Sequence, residues 1–148
     1  MRYFEDLPAG TLIDCGTRFV SKEEIIRFAK EFDPQPFHID EVAAAKTHFG
    51  GVVASGWHSG SIAMRMVVDA VFGDSASMGS PGMERMRWLK PLRADSTVNV
   101  KLRVLEAELS KSRPDRGKLK VAFEMYDDKG VLLMDTIAMV LFGRRPEK

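Results

Sequence analysis

From Trp57 to Phe72 the chain carries a helical run with almost no polar side, and such a helix has to be wrapped by the rest of the protein. Ile62, Ala63, Met66, Val67, Ala70 and Val71 line one face, while Met64, Val68 and Phe72 line another. Arg65 and Asp69, four residues apart, form the main polar stripe and are placed to pair with each other. The chain has 148 residues, enough for one domain spanning 1–148 that builds a core without disulfides or metals.

The wrapping has to come from strands. Val98, Val100, Leu102 and Val104 alternate with Asn99, Lys101 and Arg103, the period of a half-buried strand. Leu119, Val121, Phe123 and Met125 repeat that pattern after the turn-rich Arg113-Pro114-Asp115-Arg116-Gly117. Asp127-Asp128-Lys129-Gly130 reads as a hairpin turn. Val131 to Phe142 is nearly continuously apolar, as expected of a central strand covered on both faces, and Met83 to Leu89 and Thr11 to Val20 are further strands. Ser21 opens a helix, with Glu24 completing a capping-box pattern, and Ile25, Phe28, Ala29 and Phe32 give it one apolar face. The helix stops at Asp33 because Pro34 follows. Asp40 caps a second, short helix through about Lys46. The whole is α+β, an antiparallel sheet wrapped around one long helix.

Charge and cysteine content exclude several roles. The net charge of +1 supplies no global field for nucleic acid or a membrane surface, and neither is expected as a partner. Lys111, Arg113, Arg116, Arg144 and Arg145 are local cations that can meet a nucleotide phosphate, with solvated loops and tails as the plainer account. Cys15 is the only cysteine, so neither an internal disulfide nor a cysteine metal site forms. The N-terminal MRYFEDLPAG has acids and a proline where a signal peptide needs an apolar run, and no stretch reaches membrane-span length, so a cytoplasmic location is expected.

The segment with chemistry in it is Asp33-Pro34-Gln35-Pro36-Phe37-His38. A carboxylate and an imidazole stand five apart across two prolines, each fixing its own φ and restricting the residue before it. An extended, stiff bridge of this kind holds an acid–base pair at a set separation. His38 also lies just ahead of the Asp40 cap, where an electropositive helix start favours the neutral imidazole. On spacing alone, a proline-rich turn with a solvated Asp and a packed His is the commoner arrangement. Ser55-Gly56 precedes the buried helix, where unpaired N–H groups can meet developing negative charge. His58, at the same helix start, is more simply a structural histidine.

Together these residues resemble the MaoC-like dehydratases and R-specific enoyl-CoA hydratases. Asp33 to His38 is similar to their D-x-N-P-x-H hydratase motif, and Ser55-Gly56 falls where they carry a glycine at the start of the central helix. Arg87-Trp88-Leu89-Lys90-Pro91-Leu92-Arg93-Ala94-Asp95 looks like their tryptophan–proline segment. The resemblance implies a hotdog fold, a homodimer or higher homo-oligomer, and hydration of a 2-enoyl-CoA to a 3-hydroxyacyl-CoA, or the reverse. It implies Asp33 and His38 as the pair acting on water and the Gly56 N–H as donor to the thioester oxygen. Gln35, Ser55, Trp57 and Met64 become substrate-binding candidates. Gln35 stands where the motif has Asn, Ser55 where His is commoner, and Met64 where R-specific hydratases can have Ser. The substrate would be an acyl thioester of coenzyme A or acyl-carrier protein, with coenzyme A present only as part of the substrate and no other cofactor or metal. The alternatives are a hotdog thioesterase, with Asp69 as its one obvious carboxylate on the central helix, or a noncatalytic acyl-thioester-binding protein.

Overall fold

Strand β1 (Leu12–Val20) leads into helix α1 (Lys22–Phe32), two short helices α2 (Pro36–Ile39) and α3 (Glu41–Ala45), and the long helix α4 (Gly56–Val67). Strands β2 (Gly82–Trp88), β3 (Ser96–Leu109), β4 (Arg116–Tyr126) and β5 (Leu132–Gly143) follow. These elements belong to a computed structural model that describes residues 1–148. The strands form one antiparallel sheet of five in the order β1-β3-β4-β5-β2. Its alternating side chains, Val98 to Val104 on β3 and Leu119 to Met125 on β4, are buried and join Ile62, Ala63, Met66, Val67 and Val71 in one core. The result is a hotdog fold, with the sheet curled around α4.

Two expectations about burial need correction. The helix is not enclosed all round: Met64 is 42% and Trp57 63% exposed, so one stripe of α4 leaves the core. Its final turn, Val68–Phe72, is also wider than an α-helix, because the Gly73 N–H reaches back five residues to the Val68 carbonyl at 2.7 Å. Strand β5 is interior to the sheet, yet on its outer face Ile137, Met139 and Leu141 are only half-buried. Where that face is closed, at Asp135, the cover is Arg85 and Arg87 from β2, 3.1 and 2.6 Å from the carboxylate.

Residues around the site are fixed by loops rather than by the sheet. Ser21 caps α1 by accepting from the Glu24 N–H at 3.1 Å. The reciprocal half of that box is not made, because the Glu24 carboxylate instead pairs with Arg18 of β1 and lies 3.4 Å from His58 Nε2 of α4. His58 is buried and stacks on Phe28 of α1 at 4.6 Å, so this cluster ties together the two helices that flank the site. Burial pushes the His58 imidazole below its usual pKa, and the Glu24 carboxylate offsets only part of that. Residues 52–54 cross residues 92–94 in a short antiparallel contact, with Ala54 N–H donating to the Leu92 carbonyl at 2.8 Å. That contact brings the glycine-rich loop beside the segment after β2.

Candidate active site

Asp33 is the C-cap of α1, its N–H still bonded to the Ala29 carbonyl at 2.8 Å. The expected extended bridge to His38 is absent. Pro36 sits at the first position of α2, where its fixed φ suits a helix and its missing N–H costs nothing. The chain therefore turns back within α2. Fully extended, five residues span roughly 17 Å; here Asp33 Oδ2 lies 3.3 Å from His38 Nε2. Pro36 starts the turn that reverses the chain, and the reversal makes the pair.

His38 is 6% exposed, and its Nδ1 lies 2.6 Å from the Val53 carbonyl. A carbonyl only accepts, so Nδ1 carries a proton, and Nε2 is the ring nitrogen that faces Asp33. This replaces the expected influence of the Asp40 helix start. His38 belongs to the one turn of α2, while Asp40 Oδ1 caps α3 by accepting from the N–H groups of Val42 and Ala43.

The Asp33 carboxylate is held on both oxygens. Ser55 Oγ donates to Oδ2 and Gln35 Nε2 to Oδ1, both at 2.7 Å. Partial burial raises the Asp33 pKa, but these two hydrogen bonds and the nearby His38 outweigh it, so the carboxyl lies below its ordinary value. Ser55 is also the N-cap residue of α4. Its hydroxyl, which at a cap would accept an N–H, makes no capping bond there. The Trp57 N–H, which such a cap could satisfy, has no hydrogen-bond acceptor, and neither has the Gly56 N–H at the first position of the helix.

Around this pair lies a cavity of about 460 Å³, lined by Asp33, Gln35 and His38 on one side and Gly56, Trp57 and Ser59 of α4 on another. Its remaining walls are Phe37, Phe49, Val53, Ala54 and the segment Trp88 to Leu92. The Trp88 indole donates to the Gly56 carbonyl at 3.0 Å and packs so closely that a Cβ at position 56 would lie 2.5 Å from its ring. A side chain at position 56 therefore has to displace the Trp88 ring. Ser55 is fully buried and meets Asp33 rather than the cavity, and Met64 lies outside this cavity. Met64 lines a second, apolar cavity of about 500 Å³ with Met83, Met86 and Phe123, which adjoins the first at Trp57. The Val53 carbonyl, Ser59 and the Phe49 wall were not singled out in the sequence. No group of three or more His, Cys, Asp or Glu side chains is gathered to hold a metal ion. Asp69, the thioesterase carboxylate, is instead bonded to Arg65 at 2.9 Å and largely exposed.

Residues 8–122 match the family profile described as "MaoC like domain". The chain belongs to the MaoC-like dehydratase family. It is 34% identical to the uncharacterized protein YdeM of Bacillus subtilis (strain 168), over 95% of this chain and 98% of that one. It is 29% identical to a 3-hydroxybutyryl-CoA dehydratase of Methylorubrum extorquens, over 98% of this chain and 87% of that one. The crystal structure of a MaoC-like dehydratase from Rhodospirillum rubrum is similar throughout, with a TM-score of 0.92 at 37% identity, covering 99% of this chain and 100% of that one. No helix here is long and apolar enough to cross a membrane.

Proposed function

We propose that the protein adds water across the double bond of a 2-enoyl thioester to give a 3-hydroxyacyl thioester, and catalyses the reverse dehydration. The observation that carries this reading is the 3.3 Å approach of Asp33 Oδ2 to His38 Nε2, with Nδ1 held by the Val53 carbonyl and with Gly56, whose N–H is unpaired, lining the same cavity. With His38 in its neutral Nδ1–H form, Nε2 and the Asp33 carboxylate oxygen are both acceptors facing one point. A water placed there donates one hydrogen bond to each and turns its own lone pair to C3 of the substrate. As the C–O bond forms, charge moves to the thioester oxygen, where the Gly56 N–H stabilises it without reorganisation. The proton taken from water returns to C2. This addition–elimination requires no redox group or metal, and coenzyme A enters only as part of the substrate.

Loss of enoyl absorbance with crotonyl-CoA, and no release of free thiol from butyryl-CoA, is the expected pattern. Thiol release without hydration would replace this reading with hydrolysis, and inertness towards both thioesters would leave a binding protein.

The acid limb of the pH profile reports on Asp33. Ser55→Ala deletes a donor that stabilises the ionised carboxylate, so the Asp33 pKa should rise. Catalysis that needs the carboxylate ionised is then lost at higher pH than in wild type. A pH series of kcat/KM should show the acid limb of Ser55→Ala displaced upwards; an unmoved limb would mean that Asp33 does not govern it.

A homodimer forms part of the same proposal. Strand β2 is the last in the sheet and has one unpaired edge, and Trp57, Met64 and Met83 are exposed. Light scattering should give twice the chain mass at micromolar concentration, and a Met83→Lys substitution on β2 should shift the equilibrium towards monomer.

A further inference from the structure

Lys90 and Pro91 line the cleft that holds Asp33 and His38, and they also line a separate cavity of about 330 Å³. Arg93, Ser96 and Lys129 also line that second cavity. No carboxylate lies within ion-pair distance of Lys90, Arg93 or Lys129, whereas the cations that the sequence singles out nearer the termini are spent: Arg144 pairs with Glu5 and Arg145 with Asp6. Two acids share the cavity wall. Asp127 is occupied by its own turn, its Oδ1 accepting from the N–H groups of Lys129 and Val131 at 2.9 Å, and Asp128 is exposed.

The framework under these cations is fixed. The Lys90 N–H donates to the Leu133 carbonyl at 3.2 Å, and Ser96 Oγ donates to the Arg93 carbonyl at 2.6 Å. Arg93 reaches back with one guanidinium N–H to the Phe49 carbonyl at 2.6 Å, leaving its other donors free. Phe49 itself lines the cleft, so Arg93 connects the two cavities.

We infer that Lys90, Arg93 and Lys129 bind the phosphate groups of the thioester's carrier, in a subsite entered from the catalytic cleft over Pro91. This rests on the acyl-thioester reading of the cleft. It gives a role to three cations without a carboxylate partner in a cavity that shares Lys90 and Pro91 with the catalytic cleft. Phosphates reach such a subsite either from coenzyme A, as its diphosphate and 3′-phosphate, or from the phosphodiester of a carrier protein's prosthetic arm.

The test compares wild type with Lys90→Gln/Lys129→Gln and with the triple variant that adds Arg93→Gln. The double variant is needed because Arg93 also holds Phe49. Kinetics use crotonyl-CoA, crotonyl-pantetheine (which has no phosphate) and crotonyl-acyl-carrier protein; calorimetry measures binding of adenosine 3′,5′-bisphosphate. The ratio of kcat/KM for crotonyl-CoA over crotonyl-pantetheine should fall about tenfold or more in both variants, through KM. Wild-type binding of the bisphosphate should weaken with added salt and again in the variants. A fall confined to the carrier-protein substrate would assign the subsite to the phosphodiester and also supports it. The inference is overturned if all ratios stay at wild type. It is equally overturned if Lys111→Gln/Arg113→Gln/Lys118→Gln, an equal charge change elsewhere, lowers them as much. Bisphosphate binding that the variants weaken, in a protein that hydrates nothing, would sink the proposed activity and leave the subsite standing.

Discussion

Asp33→Asn and His38→Ala should each reduce turnover of crotonyl-CoA by about 10²–10⁴-fold, the range that a positioned acid–base group supplies. The double variant should be little slower than either single one. Non-additivity follows from the geometry: with 3.3 Å between Asp33 Oδ2 and His38 Nε2, both groups hold one water, and losing either leaves the other nothing to act on. Asp33→Asn is the cleaner change. Its side-chain oxygen still accepts from Ser55, and the cost falls at Gln35, whose amide has to turn to avoid meeting another donor. His38→Ala is riskier for the fold, since it strips the Val53 carbonyl of its side-chain partner beside the contact of residues 52–54 with 92–94. Circular dichroism and a melting curve must therefore accompany the kinetics. A folded His38→Ala variant with near wild-type hydration would remove the centre of the mechanism. Full additivity would point instead to separate roles, one group on the water and one on the thioester.

How much of this was legible beforehand depends on which atoms do the work. The strands were readable because Val98 to Val104 and Leu119 to Met125 alternate, and that alternation is what one buried face requires. Helix α4 was readable in extent but not in environment: apolar residues look alike whether they meet their own core, as Met66 does, or leave it, as Met64 does. The same ambiguity hid the half-open outer face of β5. Asp33 and His38 were legible as a motif, while the reason they meet was not. Proline restricts φ wherever it stands, and only its position at the start of α2 turns that restriction into a reversal. Main-chain groups were the least visible. The Val53 carbonyl that holds His38 Nδ1 belongs to a valine, and nothing in a valine's side chain announces a polar role. Ser55 was assigned to the substrate because it precedes the glycine; the fold spends its hydroxyl on Asp33, and so leaves the start of α4 uncapped.

That uncapped start gives Gly56→Ala the next largest expected effect, a loss in kcat of about 10²-fold or more, comparable to removing an oxyanion donor. The substitution keeps the N–H and the helix, and alanine is a better helix former than glycine. On local propensity alone it should therefore stabilise. What opposes it is Trp88: the new methyl would lie 2.5–2.8 Å from Cε2, Cζ2 and Nε1 of the indole, well inside contact distance. Trp88 is 45% exposed, so the ring can swing outwards, at an overpacking cost of about 1–3 kcal/mol. Doing so breaks its bond to the Gly56 carbonyl and removes a wall of the cleft. Stability should then fall modestly while turnover collapses, and tryptophan emission should shift as the indole moves. Trp88→Leu in the Gly56→Ala background separates steric from electrostatic causes. If the smaller side chain restores turnover, the clash had displaced the helix start and its donor. If the double variant stays slow although its melting temperature recovers, the indole itself is required as the cleft wall. Unimpaired hydration by Gly56→Ala alone would mean that the indole yields without moving the helix start, and the close packing of Trp88 on Gly56 would lose its assigned part in the reaction.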